Sequence, residues 1–295
     1  MEPRSTLPVD PLGIPQAERV ALEQLAVELA TEAGDMVRDE RPDGLGVEHT
    51  KSSDLDVVTI MDTRCETLLR SRIAAARPDD GVLGEEGSAV LGRSGLTWVL
   101  DPIDGTVNYL YDLPAYAVSV AVVVGDPTTP GRWATVAGAV VCPRTREVFH
   151  ARAGGGAWVV TDGRRRGPLR TSGVSELGGM LLATGFAYDR QVRVGQAAVV
   201  ADLLPRVRDV RRMGAAALDL CHVAAGRVDG YFERCTKPWD VAAGMLLVTE
   251  AGGSVTGLAE GSGPSGEMVV AAGPAGHQVL LRELRALVRG ADRSP

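Results

Sequence analysis

Residues 98–106 read Trp-Val-Leu-Asp-Pro-Ile-Asp-Gly-Thr, an apolar strand that ends on two acids, Asp101 and Asp104. Trp98, Val99 and Leu100 have the character of a buried strand, where carboxylates are costly unless paired or bound to a metal, so two in one turn point to a purpose. Pro102 removes a backbone donor and fixes its own φ, so the chain turns there. Gly105 lets the backbone approach a ligand closely. Asp101 and Asp104 can then converge on one point, beside the N–H groups of Gly105 and Thr106. Carboxylates next to backbone donors suit a metal ion that holds a phosphate.

Other segments carry acids in similar settings. Glu85, in Gly84-Glu85-Glu86, lies just past the apolar pair Val82-Leu83. Asp240 follows Trp239 at the start of a helical stretch. Asp56 opens Asp-Val-Val-Thr, three residues before Thr59, and Asp62 lies three further on. Each has a purely structural reading when taken singly. Asp240 can be an N-cap, and Asp56 or Thr59 can cap the helix that begins near Asp62. Glu85-Glu86 can be an exposed turn, and Asp101 can cap a turn ahead of Pro102. Taken jointly, Glu85, Asp101, Asp104 and Asp240 in one pocket would repel strongly unless protonated or neutralised. No Lys or Arg lies beside them in sequence. Hard divalent cations would neutralise such a group, and Mg²⁺ prefers all-oxygen sites. Spacing alone does not bring them together, because Asp240 is remote from Asp101.

Nucleophilic side chains offer no competing pattern. His49, His150, His222 and His277 show no ligand spacing, and His222 falls in an apolar helical pattern. Cys65, Cys142, Cys221 and Cys235 form no CxxC pair, which argues against a disulfide framework or a zinc site.

The elements that must position the acids are legible in outline. Residues 1–16 are rich in proline and polar groups and read as a loose arm. Leu22, Leu25, Leu29, Ala33 and Met36 keep helical spacing over 17–38, and Cys65, Leu68, Leu69 and Ile73 do so over 62–76. Strand patterns follow at 98–100, 118–124, 136–141, 148–150 and 157–160, with 125–131 as a hairpin loop. After about Pro168 the pattern changes to alternation: strands at 181–183, 229–232 and 269–272, helices at 192–204, 215–225, 242–250 and 278–288. Helices, then a meander, then αβ alternation point to a layered α/β protein. The expected organisation is one catalytic domain over 17–290, with halves at 17–167 and 168–290.

Composition narrows the function class. The chain has 295 residues, 45% of them hydrophobic, which is ample for a sizeable core. Its net charge of −7 argues against nonspecific nucleic-acid binding. Arg164-Arg165-Arg166 is the main basic run and reads as a solvated hairpin edge. No signal-peptide pattern opens the chain and no apolar run reaches the ~20 residues of a membrane span. A cytoplasmic protein without a membrane partner is therefore expected.

Five segments together resemble the inositol monophosphatase family, in particular its bacterial inositol-1-monophosphatase branch. They are Lys51-Ser52-Ser53-Asp54, Asp56-Val-Val-Thr59, Gly84-Glu85-Glu86, the 98–106 stretch, and Trp239-Asp240-Val-Ala-Ala-Gly244. They occur in the family's order across roughly 20–285. The resemblance implies an αβαβα sandwich, a homodimer, and Mg²⁺-dependent, lithium-sensitive hydrolysis of phosphate monoesters. It implies that Glu85, Asp101 and the Ile103 carbonyl hold a first metal ion. Asp101, Asp104 and Asp240 would hold a second, with a weaker third at Glu85. Asp56 with Thr106 would orient and deprotonate the attacking water, helped by Glu85. Gly105 and Thr106 would grip the phosphate, while Glu233 and Ala216 would face the alcohol. Val107 and Ala215 depart mildly from the family's usual residues, which affects substrate detail only.

The expected substrate is a small phosphorylated polyol, myo-inositol 1-phosphate. Relatives in the family act on fructose 1,6-bisphosphate, 3′-phosphoadenosine 5′-phosphate or histidinol phosphate, and these are the alternatives. Some bacterial relatives also have roles in RNA-polymerase complexes, which leaves a non-catalytic binding role as a reading of a different class. No direct nucleic-acid contact is expected.

Overall fold

Alternate residues of a strand face opposite sides, so a strand buried on both faces must be apolar throughout and feed two cores. The computed structural model, which describes residues 12–51 and 56–291, shows this arrangement. Ser52, Ser53 and Asp54 of the Lys51 segment, and residues 1–11 of the expected arm, lie outside the described residues. Leu12 and Ile14, at the end of that arm, pack on the first core, and Arg19 Nε donates to the Ile14 carbonyl at 2.9 Å. The packed chain therefore starts earlier than residue 17.

The elements run α1 (Gln16–Asp39), β1 (His49–Thr50), β2 (Val57–Val58), α2 (Ile60–Ala76), β3 (Gly81–Gly84), β4 (Leu96–Asp104), α3 (Thr106–Leu110), β5 (Ala117–Gly125), β6 (Trp133–Cys142), β7 (Glu147–Arg152), β8 (Ala157–Thr161) and β9 (Arg164–Arg166). The second half continues with β10 (Leu181–Thr184), α4 (Arg190–Leu203), β11 (Asp209–Arg211), α5 (Ala216–Ala224), β12 (Gly230–Glu233), α6 (Pro238–Glu250), β13 (Ser254–Thr256), β14 (Val269–Ala272) and α7 (Pro274–Ala291). Strands β3 to β9 form a sheet in sequence order, and a second sheet has the order β11-β10-β12-β14-β13. The first sheet is antiparallel except for the β3–β4 pair.

Five layers pack through three hydrophobic cores, the middle one covering both faces of α5 and α6. Trp98, Leu100, Val118, Val120 and Val122 face α1 and α2, against Leu22, Leu29, Leu69 and Ile73. Val99, Ala121 and Val123 face the other way, onto α5 and α6. The same pair of helices covers Ala183, Tyr231 and Ala271 of the second sheet. That sheet's far side, with Leu182, Phe232 and Val270, packs on Leu203, Leu280 and Leu284 of α4 and α7. The result is the expected αβαβα sandwich. Helix α5 lies between two sheets and is apolar around nearly its whole circumference, as such a position requires. Close packing of α5 on α6 depends on Gly244, where a Cβ would stand 2.6 Å from that of Leu220.

Sequence spacing missed the shortest strands, β1, β2, β11 and β13, and placed the start of α7 four residues late. Arg164–Arg166 is an exposed edge strand, with the Arg165 guanidinium 3.6 Å above the Trp158 ring. Among the described residues no helix is long and apolar enough to cross a membrane.

Candidate active site

The chemistry begins at a fault in the β4–β5 ladder. Asp101 pairs with Ser119, but Asp104 pairs with Ala117, so three steps on one strand match two on the other. Such a bulge bends the strand and re-aims side chains. Pro102 sits inside it, where a missing N–H costs no ladder bond. Ile103 N donates to Asp101 Oδ1 at 3.1 Å, which fixes the first acid. Gly105 then turns the chain into α3 with φ of 93°. A side chain there would be strained, and its Cβ would come within 3.0 Å of the carbonyls of Ala115 and Gly214.

Asp104 reaches the N-terminus of α5, accepting from Ala216 N at 3.2 Å and Ala217 N at 2.7 Å. Asp240, in the first turn of α6, accepts from Lys237 N at 2.7 Å. Two helices that enter the middle layer thus deliver their first turns to the end of β4. Glu85 follows β3, in a turn clamped from below by buried Glu66, which accepts from Glu86 N at 2.7 Å and Gly87 N at 2.8 Å. Glu85, Asp101, Ile103, Asp104, Gly105, Thr106, Ala216, Glu233 and Asp240 line one cavity of about 350 Å³. The structure therefore brings together every residue expected at the site, and Asp56 stands in the same wall.

One expected pairing is different. The hydroxyl of Thr106 lies 3.0 Å from Asp62 Oδ1 and 3.0 Å from the Ile103 carbonyl, so its acidic partner is Asp62 rather than Asp56. Asp62 is buried, and its second oxygen accepts from Thr59 N at 2.9 Å and Thr59 Oγ1 at 2.6 Å in a capping box. The sequence signal was present. Asp62 sits between Met61 and Cys65 on the face of α2 that turns inward, an unusual place for an acid with only a capping role.

Electrostatics separate this cavity from an ordinary surface. Burial pushes Asp101 and Asp240 far above the usual carboxylate range, and their acidic neighbours add to it. Asp104 is pushed up to about 8 by burial, opposed by its bonds to Ala217 and Ala216. Burial raises Glu85 to about 7 against the pull of Lys51. Asp62 rises to about 6 through burial, despite donors from Thr59 and Thr106. Burial lifts Glu233 to about 7, although Tyr231 OH donates to it at 3.0 Å and Arg212 lies nearby.

Sequence spacing did not reveal Lys51, which reaches Glu85 across 34 residues. It also passed over Tyr188 and Arg212 in the cavity wall. Asp219 was missed as well. It is buried in α5, and neither carboxylate oxygen has a hydrogen-bond partner among the described residues. An acid in the apolar run Ala216-Ala217-Leu218-Asp219-Leu220-Cys221 was its signal.

The donor set fits a hard divalent cation. It consists of carboxylates and a carbonyl, and their mutual repulsion needs a countercharge. Among the described residues, no three His, Cys, Asp or Glu side chains stand close enough together to hold a metal ion as they are placed. The fit therefore rests on the chemistry of the donors that line the cavity.

A model described as the inositol monophosphatase family matches residues 18–289. The chain belongs to the inositol monophosphatase family. Among its relatives is inositol-1-monophosphatase SuhB of Mycobacterium tuberculosis, 46% identical over 285 residues, covering 92% of this chain and 96% of that protein. The protein named Nus factor SuhB of Vibrio cholerae is 34% identical over 265 residues, covering 88% and 94%. The solved structure of M. tuberculosis SuhB superposes with a TM-score of 0.76 at 44% identity, covering 91% of this chain and 97% of that one. As an inositol monophosphatase homologue, this chain is a phosphoric monoester hydrolase acting on small phosphorylated substrates.

Proposed function

We propose that the chain hydrolyses myo-inositol 1-phosphate to myo-inositol and phosphate, without a covalent intermediate, as a cytoplasmic, lithium-sensitive homodimer using two or three Mg²⁺ ions. The observation that carries the metal-dependent phosphatase chemistry is the meeting of Glu85, Asp101, Asp104 and Asp240 in one cavity; the substrate, lithium sensitivity, dimer and location follow from the family resemblance. Glu85, Asp101 and the Ile103 carbonyl would hold one ion, and Asp101, Asp104 and Asp240 another. When bound, the ions would supply an activated water and stabilise charge on the leaving alkoxide.

The chain's own residues do the rest. Thr106 Oγ1 accepts the proton of the attacking water as its own hydrogen passes to Asp62. A carboxyl raised to about 6 is better matched to that task near neutrality than an ordinary aspartate. This assigns to Asp62 the role expected of Asp56, which remains part of the cavity wall. Backbone N–H groups of Gly105 and Thr106 grip the phosphate. Glu233 accepts hydrogen bonds from substrate hydroxyls, and Ala216 keeps the space beside the ring small.

A substrate panel tests the reading. With Mg²⁺ present, kcat/KM should be highest for myo-inositol 1-phosphate. A preference above about tenfold for fructose 1,6-bisphosphate, 3′-phosphoadenosine 5′-phosphate or histidinol phosphate would reassign the alcohol and keep the chemistry. The name Nus factor carried by the V. cholerae relative favours a second reading, a role in transcription complexes. Retention by RNA polymerase from a purified chain with no phosphatase activity would support it.

A further inference from the structure

Strand β9, Arg164–Arg166, closes one side of the first sheet, and no described strand pairs with its outer edge. Its three arginines are exposed. Arg170, also exposed, follows where Leu169 N donates to the Ala157 carbonyl at 2.7 Å. Residues 162–170 thus carry four arginines against one acid, Asp162, on a chain of net charge −7. Among the described residues no carboxylate pairs with any of the four, whereas Arg227 is paired with Glu147. Sheet edges are commonly guarded by charge, most often lysine, but the planar fork of arginine is shaped to grip carboxylates.

The hairpin geometry fixes what this edge offers. Asp162 and Gly163 turn with φ of 51° and 71°, the two-residue turn that makes Thr161 and Arg164 a hydrogen-bonded pair. Arg164 and Arg166 therefore direct their main-chain groups to β8, and those of Arg165 point outward. Side chains alternate, so Arg164 and Arg166 share one face. Arg165 takes the other, its guanidinium 3.6 Å from the centroid of the Trp158 ring. An extended peptide along this edge would bond to Arg165 through its main chain and set acidic side chains opposite the arginines. Other occupants fit less well. A nucleic-acid strand needs an open aromatic face for its bases, and Arg165 covers that of Trp158. The acidic chain as a whole also repels a long polyanion. A second copy of the same edge would set arginine against arginine.

We propose that the β9 edge docks a short, extended, acidic segment of a partner protein by strand addition. No residue of β9 lines the catalytic cavity, so this docking does not depend on the phosphatase reading.

Fluorescence anisotropy of the full chain with a labelled hexaglutamate peptide tests this. The wild type should bind the peptide saturably. Arg164→Glu/Arg166→Glu should weaken binding at least about tenfold, because two charge-assisted contacts become repulsions. Its melting temperature should match that of the wild type, since the substituted side chains are exposed. Hexaglutamate methylated at its backbone nitrogens keeps its charge but cannot add as a strand, and should bind the wild type at least about tenfold more weakly. If the variant does not fold, that comparison on the wild type decides. No saturable binding by the wild type, equal binding by the variant, or equal binding of the methylated peptide would overturn the proposal. Tighter binding of an oligothymidylate of equal charge would overturn it in favour of nucleic acid.

Discussion

The Thr106 hydroxyl lies 3.0 Å from both Asp62 Oδ1 and the Ile103 carbonyl oxygen, so its hydrogen has two acceptors at the wall of the cavity. Thr106→Ala removes this proton path and should lower kcat by about 10²–10⁴-fold, whereas Thr106→Ser should keep most of the activity. Wild-type kcat in Thr106→Ala would refute the assignment. Glu233 makes a different claim. Its folded pKa of about 7 lies above the ordinary value of 4.5, so the folded chain holds this proton more tightly than the unfolded one. Its contribution to stability is therefore full below about pH 4.5 and is lost as pH rises through about 7. Glu233→Gln does not titrate. Its melting temperature should gain on that of the wild type between about pH 5 and about pH 8, and then level off. A gap that stays constant over that range would show that burial does not raise Glu233. The same variant should raise KM for a polyol phosphate.

At the scale of elements, the site depends on a strand, a bulge and three helix starts. Gly105→Ala places a Cβ at φ of 93° and within 3.0 Å of two carbonyls, so it should cost roughly 1–3 kcal/mol and lower phosphatase activity together. Denaturation midpoints check the first effect, and an unchanged midpoint would mean that the turn can adapt. Much of this level was legible in sequence. The apolar runs Trp98–Leu100 and Val118–Val124 marked strands, and the cap residues marked helix starts. The bulge was not, because a ladder fault depends on which residues of β5 lie opposite. Asp62 was read only as the start of a helix. It does cap Thr59, and that local role concealed its second bond, to Thr106, 44 residues away. Lys51 escaped for the same reason. Its partners are distant in sequence and adjacent only after folding. Asp219 was passed over because its run was read for its apolar residues and not for the one acid among them.

The whole molecule is a sandwich whose middle layer, α5 and α6, is buried between two sheets. Burial there makes their N-terminal turns rigid supports, and both turns bring an acid-binding or acid-bearing segment to the end of β4. The two sheets meet the chemistry from opposite sides: Glu85, Asp101 and Asp104 come from the first, Glu233 from the second. Burial of Asp101, Asp104 and Asp240 at this junction disfavours their charged forms, and a bound cation would relieve that cost. The most direct measurement is phosphate release from myo-inositol 1-phosphate by the wild type and Asp104→Asn, each with Mg²⁺ and with excess EDTA. The expected result is turnover only in the wild type with Mg²⁺, with a loss of about 10³-fold or more in the other three samples. Turnover by Asp104→Asn equal to the wild type, or activity indifferent to EDTA, would contradict a metal-dependent phosphatase site at this cavity.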